Sequence, residues 1–348
     1  MGSIRAVKIA DLQIGGGAPV RVESMLKTRL SDTEGCAAET EALLAAGCEL
    51  ARVALPELSL AQPFARLLKR SRLPLMADIH FDHRLALAAI KAGCPSIRIN
   101  PGNMSSKAGV LETVAAAKDS GTVIRIGANG GSLNNAQVER AHGDRGAALI
   151  SAVEEQLALL TEAGFEEIII SAKSSDIAET ARANAVLSRR WPFPLHIGIT
   201  EAGCGNSGIV KGAAGIGLML AQGTGDTLRV SLTSPGTEEC ETGWNILSAL
   251  GLRSRGWKLT SCPTCGRRRI EVAELVARLR KLLPPDALPG TTIAVMGCEV
   301  NGPREASNAD FGIAGSQEGF IVFKKGQFVR KGRLEDFDSV IREELLPH

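Results

Sequence analysis

The chain reads as an α/β protein: a TIM (β/α)8 barrel over residues 1–255, then a small α+β domain over residues 256–348. Two observations carry this. Short β-branched runs alternate with longer stretches of helical periodicity up to about residue 255, and the pattern changes character after it. Eight strand-plus-helix units in roughly 250 residues is the arithmetic of a closed barrel. A doubly wound open sheet is the competing architecture, because closure cannot be read from periodicity.

The strand-like runs are RVESM (21–25), ELARVAL (49–55), LPLMADI (73–79), PSIRIN (95–100), TVIRIG (122–127), EEIIISAK (166–173), PLHIGIT (194–200) and DTLRVSL (226–232). Between them lie stretches such as TEGCAAETEALLAAG, with apolar residues at helical spacing and a terminal glycine that suits a helix C-cap. Beyond residue 255 come a strand-like WKLTS, a helix in IEVAELVARLRKLL and a strand in TTIAVMG. A hairpin, EGFIVFKKGQFVRKG, turns at Lys325–Gly326, and a last helix runs through LEDFDSVIREELL.

Composition narrows the class of protein. Apolar residues make up 44% of the 348, but aromatics only 3%, so small and branched side chains must fill the interior. A net charge of +2 gives no bulk electrostatic case for nucleic acid or a membrane surface. The N-terminus has no apolar signal-like segment, and eight cysteines without one point to a reducing, cytoplasmic setting.

Three of those cysteines stand apart. Cys262 and Cys265 form a Cys-x-x-Cys in SCPTCGR, and Cys298 lies in MGCEVNGPREA with the carboxylate Glu305 just downstream. Such spacing lets thiolates share an iron–sulfur cluster, which takes four ligands; here three thiolates leave one iron for another ligand or for substrate. Structural zinc and a redox dithiol remain alternatives, although no histidine lies between His196 and His348 to complete a zinc set. Cys36, Cys48, Cys94, Cys204 and Cys240 sit in apolar or helical context and read as packing.

Polar residues recur near the C-terminal ends of the barrel runs, often two apart and so on one face. Arg52, Arg98, Arg125, Lys173 and Arg229 would converge on one mouth with Ser231, against Asp78, Glu201 and Glu23. Structural ion pairs explain any one of these. Five together call for an anion, because buried excess like charge is costly without one, and guanidiniums match phosphate or carboxylate. Glycine-rich turns (PGN, NGG, GCGNSG) could add backbone donors. His80 and His196, with Asp78, Asn129 and Glu201 nearby, are candidates for proton transfer or hydroxyl positioning.

In their order, ESM, ADIHFD, RINPGN, RIGANGGSL, HIGITEAG, DTLRVSL, RSRG, CPTCGR and MGCEVNGPREA resemble the 4-hydroxy-3-methylbut-2-enyl diphosphate synthase family in its two-domain bacterial form. The resemblance implies a [4Fe-4S] cluster on Cys262, Cys265, Cys298 and Glu305, and a barrel that binds 2-C-methyl-D-erythritol 2,4-cyclodiphosphate. It implies a homodimer sharing its active site between chains, and flavodoxin or ferredoxin as electron donor. With the physics above, it assigns the diphosphate to Arg52, Arg98, Arg125, Lys173, Arg229 and Ser231. Asp78, His80, Asn129, His196 and Glu201 then line the reacting carbons, with Glu201 as proton donor. The chain departs from the family pattern at Glu23, where glutamine is usual, at Leu26-Lys27-Thr28 for Thr-Asn-Thr, and at Arg304 for glycine. A paralogue acting on a related phosphorylated compound, an iron–sulfur redox sensor and a zinc-bearing phosphosugar barrel are the other readings.

Overall fold

A computed structural model describes residues 2–100, 104, 106–299 and 306–346. Residues 101–103 and the segment carrying Arg304 and Glu305 lie outside the described residues. The chain divides into two compact units, Met1–Arg253 and Ser254–His348.

The first unit opens with a hairpin of β1 (Ala6–Ile9) and β2 (Leu12–Gly15). Eight parallel strands follow: β3 (Arg21–Met25), β4 (Leu50–Ala54), β5 (Leu75–Asp78), β6 (Ser96–Ile99), β7 (Val123–Asn129), β8 (Ile168–Lys173), β9 (His196–Ile197) and β10 (Thr227–Leu228). Their order in the sheet is β8-β7-β6-β5-β4-β3-β10-β9. A single parallel bridge, Ile170 to Leu195, joins its two edges, so the sheet closes into a barrel.

Each strand leads into a helix: α1 (Thr33–Ala45), α2 (Ala61–Arg70), α3 (His83–Lys91), α4 (Lys107–Ser120), α5 (Asn135–Arg140) with α6 (Arg145–Glu162), α7 (Ile177–Arg190), α8 (Gly205–Ala221) and α9 (Gly236–Ala249). Asp32, Asp82, Ser106, Asp144 and Asp176 cap the N-termini of α1, α3, α4, α6 and α7, each accepting a backbone N–H from the first turn. One apolar layer, including Val53, Ala77, Ile97, Ile124, Ile126 and Ile170, faces outward from the strands onto these helices.

The interior is layered differently. Leu50, Met76, Val123 and Ile169, at the strand starts, pack with Val7, Ile9 and Ile14 of the hairpin. The hairpin therefore plugs the N-terminal end of the barrel. Farther along, inward positions turn polar: Arg125, Gly127 and Asn129 alternate on β7 as Ile169, Ser171 and Lys173 do on β8, and the two rows are in register. Strands β9 and β10 are shorter than the seven-residue runs predict. Beyond Ile197 and Leu228 the chain turns to present polar groups, and regular pairing stops, though the Arg229 N–H still reaches the Ile197 carbonyl at 3.1 Å.

The second unit is a five-stranded sheet in the order β11 (Lys258–Ser261), β12 (Thr292–Met296), β13 (Phe311–Ser316), β14 (Gly319–Lys324) and β15 (Gln327–Gly332). The first three are parallel and the last three antiparallel, with the hairpin turn at Lys325–Gly326 as the sequence predicts. Helices α10 (Val272–Leu282) and α11 (Phe337–Leu345) cover one face through Leu275, Leu279, Phe337 and Ile341, packed on Val295, Ile313 and Phe320. Strand β13 is absent from the sequence reading, for its FGIAGS is rich in small residues. Gly312 is opposite Phe323, whose ring fills the space a side chain would take: a Cβ there would lie 2.1 Å from the ring. No described helix is long and apolar enough to cross a membrane.

Candidate active site

The unplugged, C-terminal end of the barrel holds a pocket. It is lined by Arg52, Asp78, His80, Arg98, Arg125, Asn129, Lys173, His196, Arg229 and Ser231, together with Ser171 and Thr200. Strand geometry explains the convergence, since residues two apart share a face and parallel register stacks those faces around the axis. Ten of the eleven barrel residues that the sequence assigns to substrate binding or proton handling meet here. The eleventh, Glu201, is exposed on the turn beyond β9 at φ 52°, next to Thr200 but outside the lining.

Two ion-pair groups organise the pocket. In the first, Asp78 lies 3.3 Å from Arg52 Nε and 3.2 Å from Arg98 Nη1, with His80 Nε2 at 3.6 Å. Burial alone would raise the Asp78 carboxyl; Arg52, His80 and Arg98 outweigh it and hold the group below the usual carboxylate range. Burial in turn brings Arg52 down to about 10 despite Asp78.

The second group lies deeper. Glu23, on β3, is fully buried and accepts a hydrogen bond from Arg125 Nη1. Its Oε2 is also 3.5 Å from His196 Nδ1, which contacts Thr227 Oγ1 at 2.7 Å. The other imidazole nitrogen, Nε2, is 2.7 Å from Lys173 Nζ. Burial, reinforced by Arg125 and its cationic neighbours, pushes Lys173 and His196 well below their ordinary values. Burial pushes Glu23 up, but Arg125 and its neighbours prevail and keep it ionised. Arg125 Nη2 is buried without a hydrogen-bond partner, an orphaned donor on a residue that lines the pocket.

Glu239, on α9, is absent from the sequence reading. Its buried carboxylate takes Arg229 through two contacts of 3.2 and 3.3 Å, accepts from Ser24 Oγ at 2.9 Å and from the Leu232 N–H at 3.1 Å, and pairs with Lys27 at 3.3 Å. Only the barrel's closure brings α9 against β3, so the sequence around Glu239 carries no local signal of this. Gly198 leaves room for the cluster: a Cβ there would lie 2.5 Å from the Arg229 carbonyl oxygen and 3.2 Å from Lys173 Nζ. Four guanidiniums and one amine thus meet three buried carboxylates, Glu23, Asp78 and Glu239, which leaves the pocket short of negative charge.

In the second unit, Cys262 follows β11 and Cys298 follows β12, at the same end of two paired parallel strands. The Gly297 N–H donates to Cys262 Sγ at 3.0 Å. Thr264, at φ 65°, bends the Cys-x-x-Cys turn, and Cys265 is exposed. Among the described residues, no three His, Cys, Asp or Glu side chains are gathered closely enough to hold a metal ion. The donor chemistry nonetheless fits iron and sulfide: soft thiols at adjacent strand ends, one already accepting a backbone N–H, as cluster thiolates do.

Residues 4–244 match the GcpE TIM-barrel domain and residues 258–346 the GcpE protein C-terminal domain. The chain is 41% identical, over 98% of its length and 97% of the relative's, to a 4-hydroxy-3-methylbut-2-en-1-yl diphosphate synthase (flavodoxin) from Thermodesulfovibrio yellowstonii. It is 44% identical, over 94% of its length and 91% of the relative's, to the synthase of that name from Maridesulfovibrio salexigens. Among solved structures, N-acetylneuraminic acid synthetase from Leptospira borgpetersenii serovar Hardjo-bovis shares the fold, with a TM-score of 0.50 at 14% identity over 80% of this chain and 97% of that one. With both domains matched in order and relatives similar along almost the whole chain, this protein belongs to the GcpE family of iron–sulfur oxidoreductases.

Proposed function

We propose that this chain converts 2-C-methyl-D-erythritol 2,4-cyclodiphosphate to 4-hydroxy-3-methylbut-2-enyl diphosphate in the cytoplasm, with reduced flavodoxin or ferredoxin as electron donor. A ring C–O bond breaks, two electrons and two protons enter, and one water leaves. The observation that carries the reading is the charge imbalance at the barrel mouth, where an orphaned guanidinium donor and a buried amine await an anion.

Arg52, Arg98, Arg125, Lys173, Arg229 and Ser231 hold the diphosphate, and the buried acids behind them fix each guanidinium in place before substrate arrives. Asp78, His80, Asn129 and His196 line the carbon skeleton and orient its hydroxyls. Glu201 is assigned the proton for the departing hydroxyl, from a turn that borders the pocket through Thr200. Cys262, Cys265, Cys298 and Glu305 would hold a [4Fe-4S] cluster, which supplies single electrons and a Lewis-acidic iron when bound. A homodimer, in which one chain's thiols serve the partner's barrel, completes the proposal. It draws support from the family resemblance.

The test is anaerobic reconstitution followed by metal analysis and product identification. About four irons and four sulfides per chain are expected, with the open-chain diphosphate detected by mass spectrometry under a reducing dye. One zinc per chain, or a full cluster with no turnover of the cyclodiphosphate, would overturn the assignment.

A further inference from the structure

Glu23 does not line the pocket, yet it touches two residues that do. Its side chain is fully buried, and one oxygen, Oε2, faces both Arg125 Nη1 and His196 Nδ1, while Oε1 has no hydrogen-bond partner. A buried carboxylate left half-satisfied is costly, so its presence among pocket cations points to a task there.

The imidazole defines that task. His196 Nδ1 has two oxygens before it, Glu23 Oε2 at 3.5 Å and Thr227 Oγ1 at 2.7 Å, and Nε2 has the Lys173 amine at 2.7 Å. A hydroxyl can donate or accept; an ionised carboxylate only accepts. Glu23, which only accepts, and a charged Lys173, which only donates, are therefore the members of this chain without a choice. They make Nδ1 the protonated nitrogen and leave the Nε2 lone pair for a Lys173 N–H.

We propose that Glu23 is a positioning residue for the anion site: acting through His196, it locks the imidazole as the Nδ1–H tautomer and so holds the Lys173 ammonium aimed at the substrate's phosphates. This rests on the anion-binding reading of the pocket. The groups facing Lys173 are Arg125 from β7, Arg52 from β4, Arg229 after β10, His196 from β9 and Glu23 from β3, and Glu23 is the anion among them. It thus also favours the charged amine against four cationic or neutral neighbours.

The experiment uses protein labelled with 15N on histidine, with the His196 signals assigned by their loss in His196→Asn. In the unaltered protein the ring should be neutral with its proton on Nδ1; a proton on Nε2, or a charged ring at neutral pH, overturns the proposal whatever the variants do. In Glu23→Gln, which keeps the volume, the ring should become a mixture of tautomers at alkaline pH, where Lys173 loses its proton and can accept as well as donate, whereas Thr227→Val should keep Nδ1–H. The reverse pattern would give the role to Thr227. Inorganic pyrophosphate binding, measured by calorimetry from pH 6 to 10, supplies a second readout. The alkaline limb of affinity should move down by about one pH unit in Glu23→Gln, a tenfold loss at a fixed alkaline pH, while pyrophosphate's own titration is common to both proteins. An unshifted limb with an unchanged tautomer leaves Glu23 a structural ion pair. If no protein binds pyrophosphate, the anion site fails, and the tautomer alone still decides what Glu23 does.

Discussion

Arg125 links the stability of the barrel to the proposed anion site. It is about 1% exposed, donates to Glu23 and keeps one nitrogen unpartnered beside the pocket. Arg125→Ala should cost about 3–5 kcal/mol of folding stability, because it strands the buried carboxylate of Glu23. Adding Glu23→Gln should return a good part of that loss while pyrophosphate binding stays weak, as urea unfolding beside calorimetry would show. A double variant no more stable than the single one would mean that Arg125 acts through packing alone. At this level the sequence was informative where chemistry follows strand period. Arg98 and Asp78, or Arg125 and Asn129, fall on inward positions that alternation marks. Glu239 gave no such mark, because Ser24 and Lys27 reach it only through the barrel's closure, and Arg229 only across the turn from β10 into α9. Glu201 shows the opposite limit: the motif around it is legible, but the left-handed turn that leaves it exposed is not.

Among the elements, the β1–β2 hairpin was the least visible in the sequence, since its four-residue strands carry too short an alternation to stand out. Its apolar side chains become interpretable only against the strand starts they cover. Ile14, fully buried there, should cost about 2–5 kcal/mol as Ile14→Ala. Pyrophosphate affinity should stay unchanged, for the plug and the pocket occupy opposite ends of the barrel. A comparable fall in affinity would show that the plug sets the pocket's shape. The turn after β11, by contrast, was legible at once, as it follows a strand-like run and a Cys-x-x-Cys spacing is hard to misread. Cys262→Ser, Cys265→Ser and Cys298→Ser should each lose iron and the brown colour after reconstitution, because none of the three thiolates is spare. Cys36→Ser and Cys48→Ser should retain both. Iron and sulfide analysis decides, and a full complement in any of the first three would remove that residue from the ligand set.

For the molecule as a whole, the division of labour between units makes a prediction about assembly. The barrel carries the cation-rich pocket, and the second unit carries Cys262, Cys265 and Cys298. If each complete site draws on two chains, Asp78→Asn and Cys298→Ser chains, each inactive alone, should complement one another. Anaerobic co-refolding in equal amounts should restore about a quarter of parental activity, the share that a two-fold symmetric pairing allows. No recovery, with chain exchange verified by mass spectrometry, would place each complete site within one chain. The order of units and the strand count were readable throughout, because both rest on periodicity and chain length. How a barrel closes is a matter of register, and here the edges meet at Ile170 and Leu195, a pairing that no local pattern announces.

The plugged lower end also has a kinetic meaning. With Val7, Ile9 and Ile14 sealing the N-terminal rim, the C-terminal mouth is the way in and out among the described residues, and in the proposed reaction substrate and product would take turns there. A barrel open at both ends could load at one rim while discharging at the other. This one must empty before it refills, so the open-chain diphosphate should compete directly with the cyclic one, and whatever shields the doorway during reaction must lift once in every cycle.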